Sequence, residues 1–289
     1  MLTAMRTVTT TEEVRALADG ARAGGDVVGL VPTMGYLHEG HLSLVAAARH
    51  DCDLVVATIF VNPLQFAPDE DLDAYPRDPD GDAAKAAGAG VDVLFMPGND
   101  EMYPRPVLTT VSVAELSQGM EGATRPTHFD GVSTVVTKLF AIVGACRAYF
   151  GEKDYQQLAI VTRMADDLSL PVEVVGCPIV RESDGLALSS RNAYLTADQR
   201  LAAPVLHTAL LAGQAAVVAG EREPEAVLDL VTGIIDAEPE AELDYVALAD
   251  ADSLEPAETL AAGHAYRLLA AARFGRPRLL DNLAVRVPD

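Results

Sequence analysis

Residues Val27 to His41 read VVGLVPTMGYLHEGH. Val27, Val28, Leu30 and Val31 form a short apolar, largely β-branched run, the signature of a buried strand. Pro32 and Gly35 break it. From His38 the spacing becomes helical, with His41, Leu44, Val45 and Ala48 on one face. Two histidines three residues apart therefore sit where a strand becomes a helix. A helix start presents backbone N–H groups that lack intrahelical partners, together with the positive end of the helix dipole, and so suits an anion. Gly35 and Gly40 would let a phosphate approach the backbone unobstructed.

Two other readings compete at this point. A histidine at a helix start can be a satisfied polar residue and nothing more. Residues at i and i+3 can also share a zinc ion, but zinc takes three or four ligands at short companion spacings. None of the three cysteines lies near, and no His-Glu-x-x-His helix is present.

Outward from this stretch, strands and helices alternate. Residues 11–23 read as a helix with threonines as cap candidates. Leu54 to Val61 is a continuous apolar strand of the kind found in parallel sheets covered on both faces, and it ends at Asn62-Pro63-Leu64-Gln65-Phe66. Asp80 to Ala87 reads as a helix, Val91 to Met96 as a strand, and Ser133 to Val143 as a helix. Ala148 to Gly151 is a strand leading through Glu152-Lys153-Asp154-Tyr155-Gln156-Gln157 into a helix, and Pro171 to Gly176 is the fifth strand. Residues 97–106 and 118–131 read as loops, the second carrying Arg125 and His128. The pattern is α/β, a Rossmann-like parallel sheet. In such sheets ligands bind at the carboxyl ends of the strands, where both histidines, Asn62 and Gln65 fall.

After about residue 180 the texture changes. Arg181 to Tyr194 is a polar loop without periodicity. Two alanine-rich helices, near 197–219 and 224–237, and three short strands near 243–249, 266–272 and 283–287 make a smaller α+β domain. The expected division is a Rossmann-like domain over residues 1–179 and a smaller C-terminal α+β domain over residues 180–289.

Composition narrows the function. The chain has 289 residues, 49% of them hydrophobic, and a formal net charge of −22. A duplex nucleic-acid binder needs a basic footprint, which is absent, and an anionic membrane surface is disfavoured for the same reason. Cys52, Cys146 and Cys177 are far apart and odd in number, which suits reduced thiols in the cytoplasm better than a disulfide framework. Thr11, Glu12, Glu13 and Asp19 interrupt any signal-peptide core. Residues 201–220 approach a membrane span in length, but Pro204, His207, Gly213 and Gln214 argue for a soluble helix. Lysine is rare (Lys85, Lys138 and Lys153 only), so a lysine within a motif carries weight.

Three polar clusters carry the candidate chemistry. The first is His38 with His41. In the second, Gly151-Glu152-Lys153-Asp154 with Gln157, Lys153 is a point cation suited to phosphate, while Asp154 fits either an N-cap or a partner for the lysine or a ribose. In the third, Ser189-Ser190-Arg191, two hydroxyls and a guanidinium on a flexible loop can clamp a polyphosphate leaving group. Gln65 and Gln157 are neutral hydrogen bonders, able to orient a carboxylate nucleophile without the damping that an arginine pair would impose.

Four blocks of sequence together, Pro32–His41, Phe60–Phe66, Phe150–Gln157 and Leu188–Arg191, resemble the pantoate–β-alanine ligase (pantothenate synthetase) family, in the right order, over about residues 6–287. A His-x-Gly-His alone marks many nucleotidyl transferases; the four blocks together are specific. The resemblance implies a fold like that of class I aminoacyl-tRNA synthetases and an ATP-dependent condensation of (R)-pantoate with β-alanine through a pantoyl adenylate, releasing pyrophosphate and AMP. It also implies Mg²⁺ with the ATP and a homodimer; the cysteines point to the cytoplasm, and the charge to no nucleic-acid or membrane partner.

Carried over by motif, Met34, Gly35, Tyr36, Leu37, His38, Glu39, Gly40 and His41 would line the ATP site, with His41 the acid-like group on the phosphates. Gly151, Glu152, Lys153 and Asp154 would contact ATP, and Val180, Leu188, Ser189, Ser190 and Arg191 would close over it. Gln65, Gln157 and Asn62 would hold the other substrates. Leu188 stands where the family usually has Met, a volume-conserving change. Relatives commonly carry acidic residues near the metal after Tyr75-Pro76-Arg77. Here Gly81 interrupts the run Asp78-Pro79-Asp80-Gly81-Asp82, so no residue is assigned as a protein metal ligand. The rival readings are a nucleotidyltransferase of the same fold and a non-catalytic ATP sensor, the latter distinguished by binding ATP without releasing pyrophosphate.

Overall fold

The computed structural model describes residues 5–67, 72, 73 and 75–288. They form two compact units. One comprises the chain up to Glu152 together with Ile160–Pro178, and the other Lys153–Ala159 together with the chain from Ile179 onward. Lys153–Ala159 falls inside the first domain expected from sequence but packs with the second unit.

In chain order the first unit contains β1 (Arg6–Val8), α1 (Thr11–Gly24), β2 (Val28–Thr33), α2 (Glu39–Asp51), β3 (Leu54–Ile59), α3 (Pro79–Ala89), β4 (Val93–Phe95), α4 (Asn99–Met102), α5 (Glu121–Thr124), α6 (His128–Val143) and β5 (Cys146–Gly151). These are followed by α7 (Tyr155–Asp167), whose first turn belongs to the other unit, and β6 (Val172–Cys177). Six strands form one parallel sheet in the order β1-β4-β3-β2-β5-β6. The order reverses between β2 and β5, the crevice where such sheets bind ligands. Val28, Leu30, Val31, Val55, Val56 and Leu94 are buried in this sheet, each worth about 1.5–3 kcal/mol on full burial.

The sequence expected five of the six strands. β1 is three residues long, too short to show a period, and is defined by its pairing of Arg6 with Val93, Thr7 with Leu94 and Val8 with Phe95. The two expected loops hold helical turns, α4 and α5. Helix α6 begins at His128, five residues before the expected Ser133, so His128 lies in its first turn. Its early start brings Gly131 against the chain that follows β3. A Cβ on Gly131 would lie 2.3 Å from the Leu64 carbonyl oxygen and 2.5 Å from Gln65 Cα. Because the obstruction is backbone, Gly131→Ala is expected to destabilise the fold by about 1–3 kcal/mol and to displace Gln65. A melting temperature within about 1 °C of wild type, roughly the resolution of the measurement, would show that α6 can move aside.

In the second unit, α8 (Ala197–Ala202), α9 (Val205–Val218) and α10 (Pro224–Asp236) precede β7 (Glu242–Asp250), β8 (Ala265–Arg273) and β9 (Arg278–Arg286). The strands form an antiparallel sheet in the order β7-β8-β9. Three helices stand where two were expected, because Pro204 has no N–H to continue α8. The apolar segment Ala197–Val218 is long enough to cross a membrane. Its residues Leu206, Ala209, Leu210 and Val217 are buried in this unit's core with Leu268, Ala270 and Phe274 of the sheet side.

Candidate active site

The His38–His41 turn follows directly from β2. His38 is the N-cap of α2. Its Nδ1 accepts from the Gly40 N–H at 3.2 Å, and His41 Nδ1 accepts from the His38 N–H at 3.3 Å. This is a reciprocal capping box built from two histidines. Backbone amides can only donate, so both Nδ1 atoms are acceptors and the proton of each neutral ring resides on Nε2. The rings stack 4.0 Å apart between centroids. The capping also alters one expectation: the His38 and Gly40 amides are occupied by side chains. An anion at this turn would meet the imidazole Nε2–H groups and the helix dipole more than orphan backbone amides.

The turn before the cap is held from α3. Asp82, 1% exposed, accepts from the Tyr36 N–H at 2.7 Å and the Leu37 N–H at 2.6 Å. One helical turn on, Lys85 Nζ donates to the Leu37 carbonyl at 2.8 Å. Gly35 and Tyr36 both have positive φ, 87° and 52°. A Cβ on Gly35 would lie 2.9 Å from Ile59 Cγ2 and 3.0 Å from Asp82 Oδ2. The acidic run is thus structural: Asp78 caps α3 through the Gly81 N–H, and Asp82 holds the turn. Among the described residues no group of three or more His, Cys, Asp or Glu side chains is placed to hold a metal ion.

Beyond β3, Asn62 caps the short 3₁₀ turn Pro63–Gln65. Asn62 Oδ1 accepts from the Leu64 N–H at 3.3 Å and from the Tyr103 hydroxyl at 2.8 Å. That fixes its amide orientation, so Nδ2 donates to the Gly131 carbonyl at 3.1 Å and to Gln65 Oε1 at 3.2 Å. Gln65 Nε2 is in turn the donor end, lying 3.1 Å from Met34 Sδ. Burial pushes the Tyr103 phenol up to about 12, so it donates throughout the neutral range. The Gln65 carbonyl accepts from Arg125 at 3.3 Å and lies 3.0 Å from His128 Nδ1. In this unit, then, Met34 to His41, Asn62 and Gln65 come together, while Gly151 ends β5, the strand paired with β2, and Glu152 follows it.

The remaining candidates belong to the second unit. Lys153 lies in a 3₁₀ turn, 3.5 Å from Asp154 Oδ1. Gln157 lies in the first turn of α7 and is partly exposed. Residues 181–194, expected as a polar loop without periodicity, contain one β-bridge and a 3₁₀ turn. Arg181 bridges Ala187, the Leu188 N–H donates to the Val180 carbonyl at 3.0 Å, and Ser189 caps the 3₁₀ turn Ser190–Tyr194. Asn192 Nδ2 holds the Ala187 carbonyl at 3.0 Å. Lys153 and Ser189 line one cavity, with Asn192, His207 and Asp281 among their neighbours.

Sequence reasoning did not find Asp82, Lys85 and Tyr103 as site residues. Only the scarcity of lysine drew notice to Lys85, and nothing local ties a side chain on α3 or beyond α4 to a backbone tens of residues earlier.

The family model for pantoate-beta-alanine ligase matches residues 6–284. The pantothenate synthetase of Moorella thermoacetica is 51% identical over 285 residues, 99% of this chain and 100% of the relative. That of Roseiflexus sp. is 53% identical over 280 residues, 96% of this chain and 98% of the relative. Among solved structures, the pantothenate synthetase of Thermus thermophilus superposes with a TM-score of 0.91 at 51% identity, covering 98% of this chain and all of that one. The pantoate-beta-alanine ligase of Francisella tularensis, complexed with beta-gamma ATP and beta-alanine, gives a TM-score of 0.78 at 30% identity, covering 97% of each chain.

Proposed function

This chain belongs to the pantoate–β-alanine ligase family and condenses pantoate with β-alanine with ATP as co-substrate, and from that premise we propose how its residues divide the reaction. The carboxylate of (R)-pantoate attacks the α-phosphorus of ATP. The bond from that phosphorus to the bridging oxygen breaks, and pyrophosphate leaves. The amine of β-alanine then attacks the acyl carbon of the pantoyl adenylate; AMP departs and the nitrogen loses its proton to solvent.

His41, with His38 beside it, donates from Nε2 to the phosphoryl oxygens as charge builds there. Met34 to His41, Gly151 to Asp154, Val180 and Leu188 to Arg191 bind ATP. Lys153, Ser189, Ser190 and Arg191 receive the charge on departing pyrophosphate. Gln65, Asn62 and Gln157 hold pantoate and β-alanine. Mg²⁺ enters as the counter-ion of the ATP phosphates, as part of the substrate; Asp82, engaged with two backbone amides, is not its ligand. The enzyme works as a cytoplasmic homodimer. The three buried free thiols suit that compartment, and sedimentation tests the assembly.

The observation that carries the assignment is the paired use of both Nδ1 atoms as caps, which makes Nε2–H the donor of each ring. The test is pyrophosphate release from Mg·ATP and (R)-pantoate, with and without β-alanine. One equivalent per site with pantoate alone, turning over once β-alanine is added, is the expected result. Release indifferent to pantoate would overturn the proposal.

A further inference from the structure

Asp281 and Asn282 are adjacent on β9, 3% and 1% exposed, and each grips a different segment of the second unit. Asn282 Nδ2 donates to the Lys153 carbonyl at 2.8 Å. Asp281 takes both prongs of the Arg181 guanidinium, at 2.6 Å and 2.9 Å. Arg181 also donates to the carbonyls of Gly185 at 3.0 Å and Asn282 at 3.3 Å. From the Arg181–Ala187 bridge the chain runs directly into Ser189-Ser190-Arg191. Neighbouring residues of a strand project to opposite sides, so one strand can serve two segments at once. The chemistry of each residue fits its task. A carbonyl needs a donor, which the Asn282 amide supplies, and a buried carboxylate needs partners for its charge, which Arg181 supplies.

We propose that Asp281 and Asn282 are positioning residues for the adenylation step. They fix the backbone of Lys153 relative to the Ser189–Arg191 turn, so that ammonium, hydroxyls and guanidinium are pre-spaced for a polyphosphate. The inference rests on the proposed roles of Lys153 and Ser189–Arg191. It explains why Lys153, embedded in sequence in the first domain, packs with the second unit, where Lys153 and Ser189 line one cavity.

Asn282→Leu keeps the side chain's shape and removes the donor. The dissociation constant for Mg·ATP, read by calorimetry, is expected to rise about tenfold, the equivalent of one lost hydrogen bond to a buried carbonyl. The reaction of preformed pantoyl adenylate with β-alanine should stay within about twofold. In a Lys153→Ala background the same substitution should have little further effect, because the two residues act through one element. Equal fold-changes in both backgrounds, an unchanged dissociation constant, or equal loss in both half-reactions would overturn the proposal. If Asn282→Leu fails to fold, Asn282→Ala, which removes the donor without adding bulk, is read by the same cycle. Calorimetry does not depend on turnover, so absence of pantoate-dependent pyrophosphate release in the wild type would remove the ligase mechanism while leaving the pair tested.

Discussion

His41→Ala is expected to lower kcat by about 10²- to 10³-fold, the cost of removing one donor aimed at developing charge, while KM for pantoate moves by less than about threefold. The structure supplies a complication that sequence did not reveal. His41 Nδ1 also receives the His38 N–H, so alanine removes a cap as well as a donor. Glutamine at this third helical position preserves the capping box but does not put a ring Nε2–H in the same place. His41→Gln should therefore melt near the wild type and still lose most of kcat. A variant that keeps kcat and raises only KM would move His41 from transition-state stabilisation to ground-state binding. If His41→Ala is crippled and His41→Gln is fully active, the cap alone accounts for the residue.

Asp82→Asn should be the most damaging isosteric change in the first unit. Both carboxylate oxygens accept backbone N–H groups, from Tyr36 and Leu37, and an amide would turn an NH₂ toward one of them. The buried donor left unsatisfied costs about 1–3 kcal/mol, and the strained positive-φ pair Gly35–Tyr36 loses its restraint. We expect a lower melting temperature and kcat/KM for ATP reduced by more than about tenfold, because a small misplacement of the following histidines is expensive in a step governed by positioning. The Mg²⁺ concentration giving half-maximal rate should not change. A weakened Mg²⁺ response with an unaltered melting temperature would instead make Asp82 a metal ligand.

Much of the site is legible without the structure. The β2–α2 junction announces itself by its change of hydrophobic period from strand to helix, and His38, Gly40 and His41 fall at the helix start that this change predicts. Asn62 and Gln65 follow the end of an obvious apolar strand. Lys153 and Ser189 stand out for their chemistry, and they do line one cavity. The bridge and the 3₁₀ turn within 181–194 are invisible in the sequence because neither leaves a periodic trace. The first turn of α6 is hidden as well: Arg125, Pro126, Thr127 and His128 look like loop residues, yet the helix begins at His128 and brings Gly131 against Leu64 and Gln65.

Sequence by itself determined the α/β class, the alternation of strand and helix, the family and which residue types stand as candidates for the chemistry. Each of these depends on local period or on residue chemistry, which the chain carries wherever it is read. The tertiary structure alone decided which atoms those groups present. It set both histidine Nδ1 atoms as caps, turned the Gln65 amide through Asn62, held the Gly35–Leu37 turn by Asp82 and Lys85, and tied Lys153 to β9. These contacts join residues separated by as many as 129 positions. A hydrogen bond at that separation depends on where two backbones meet in space, and the spacing of residues along a chain does not record that.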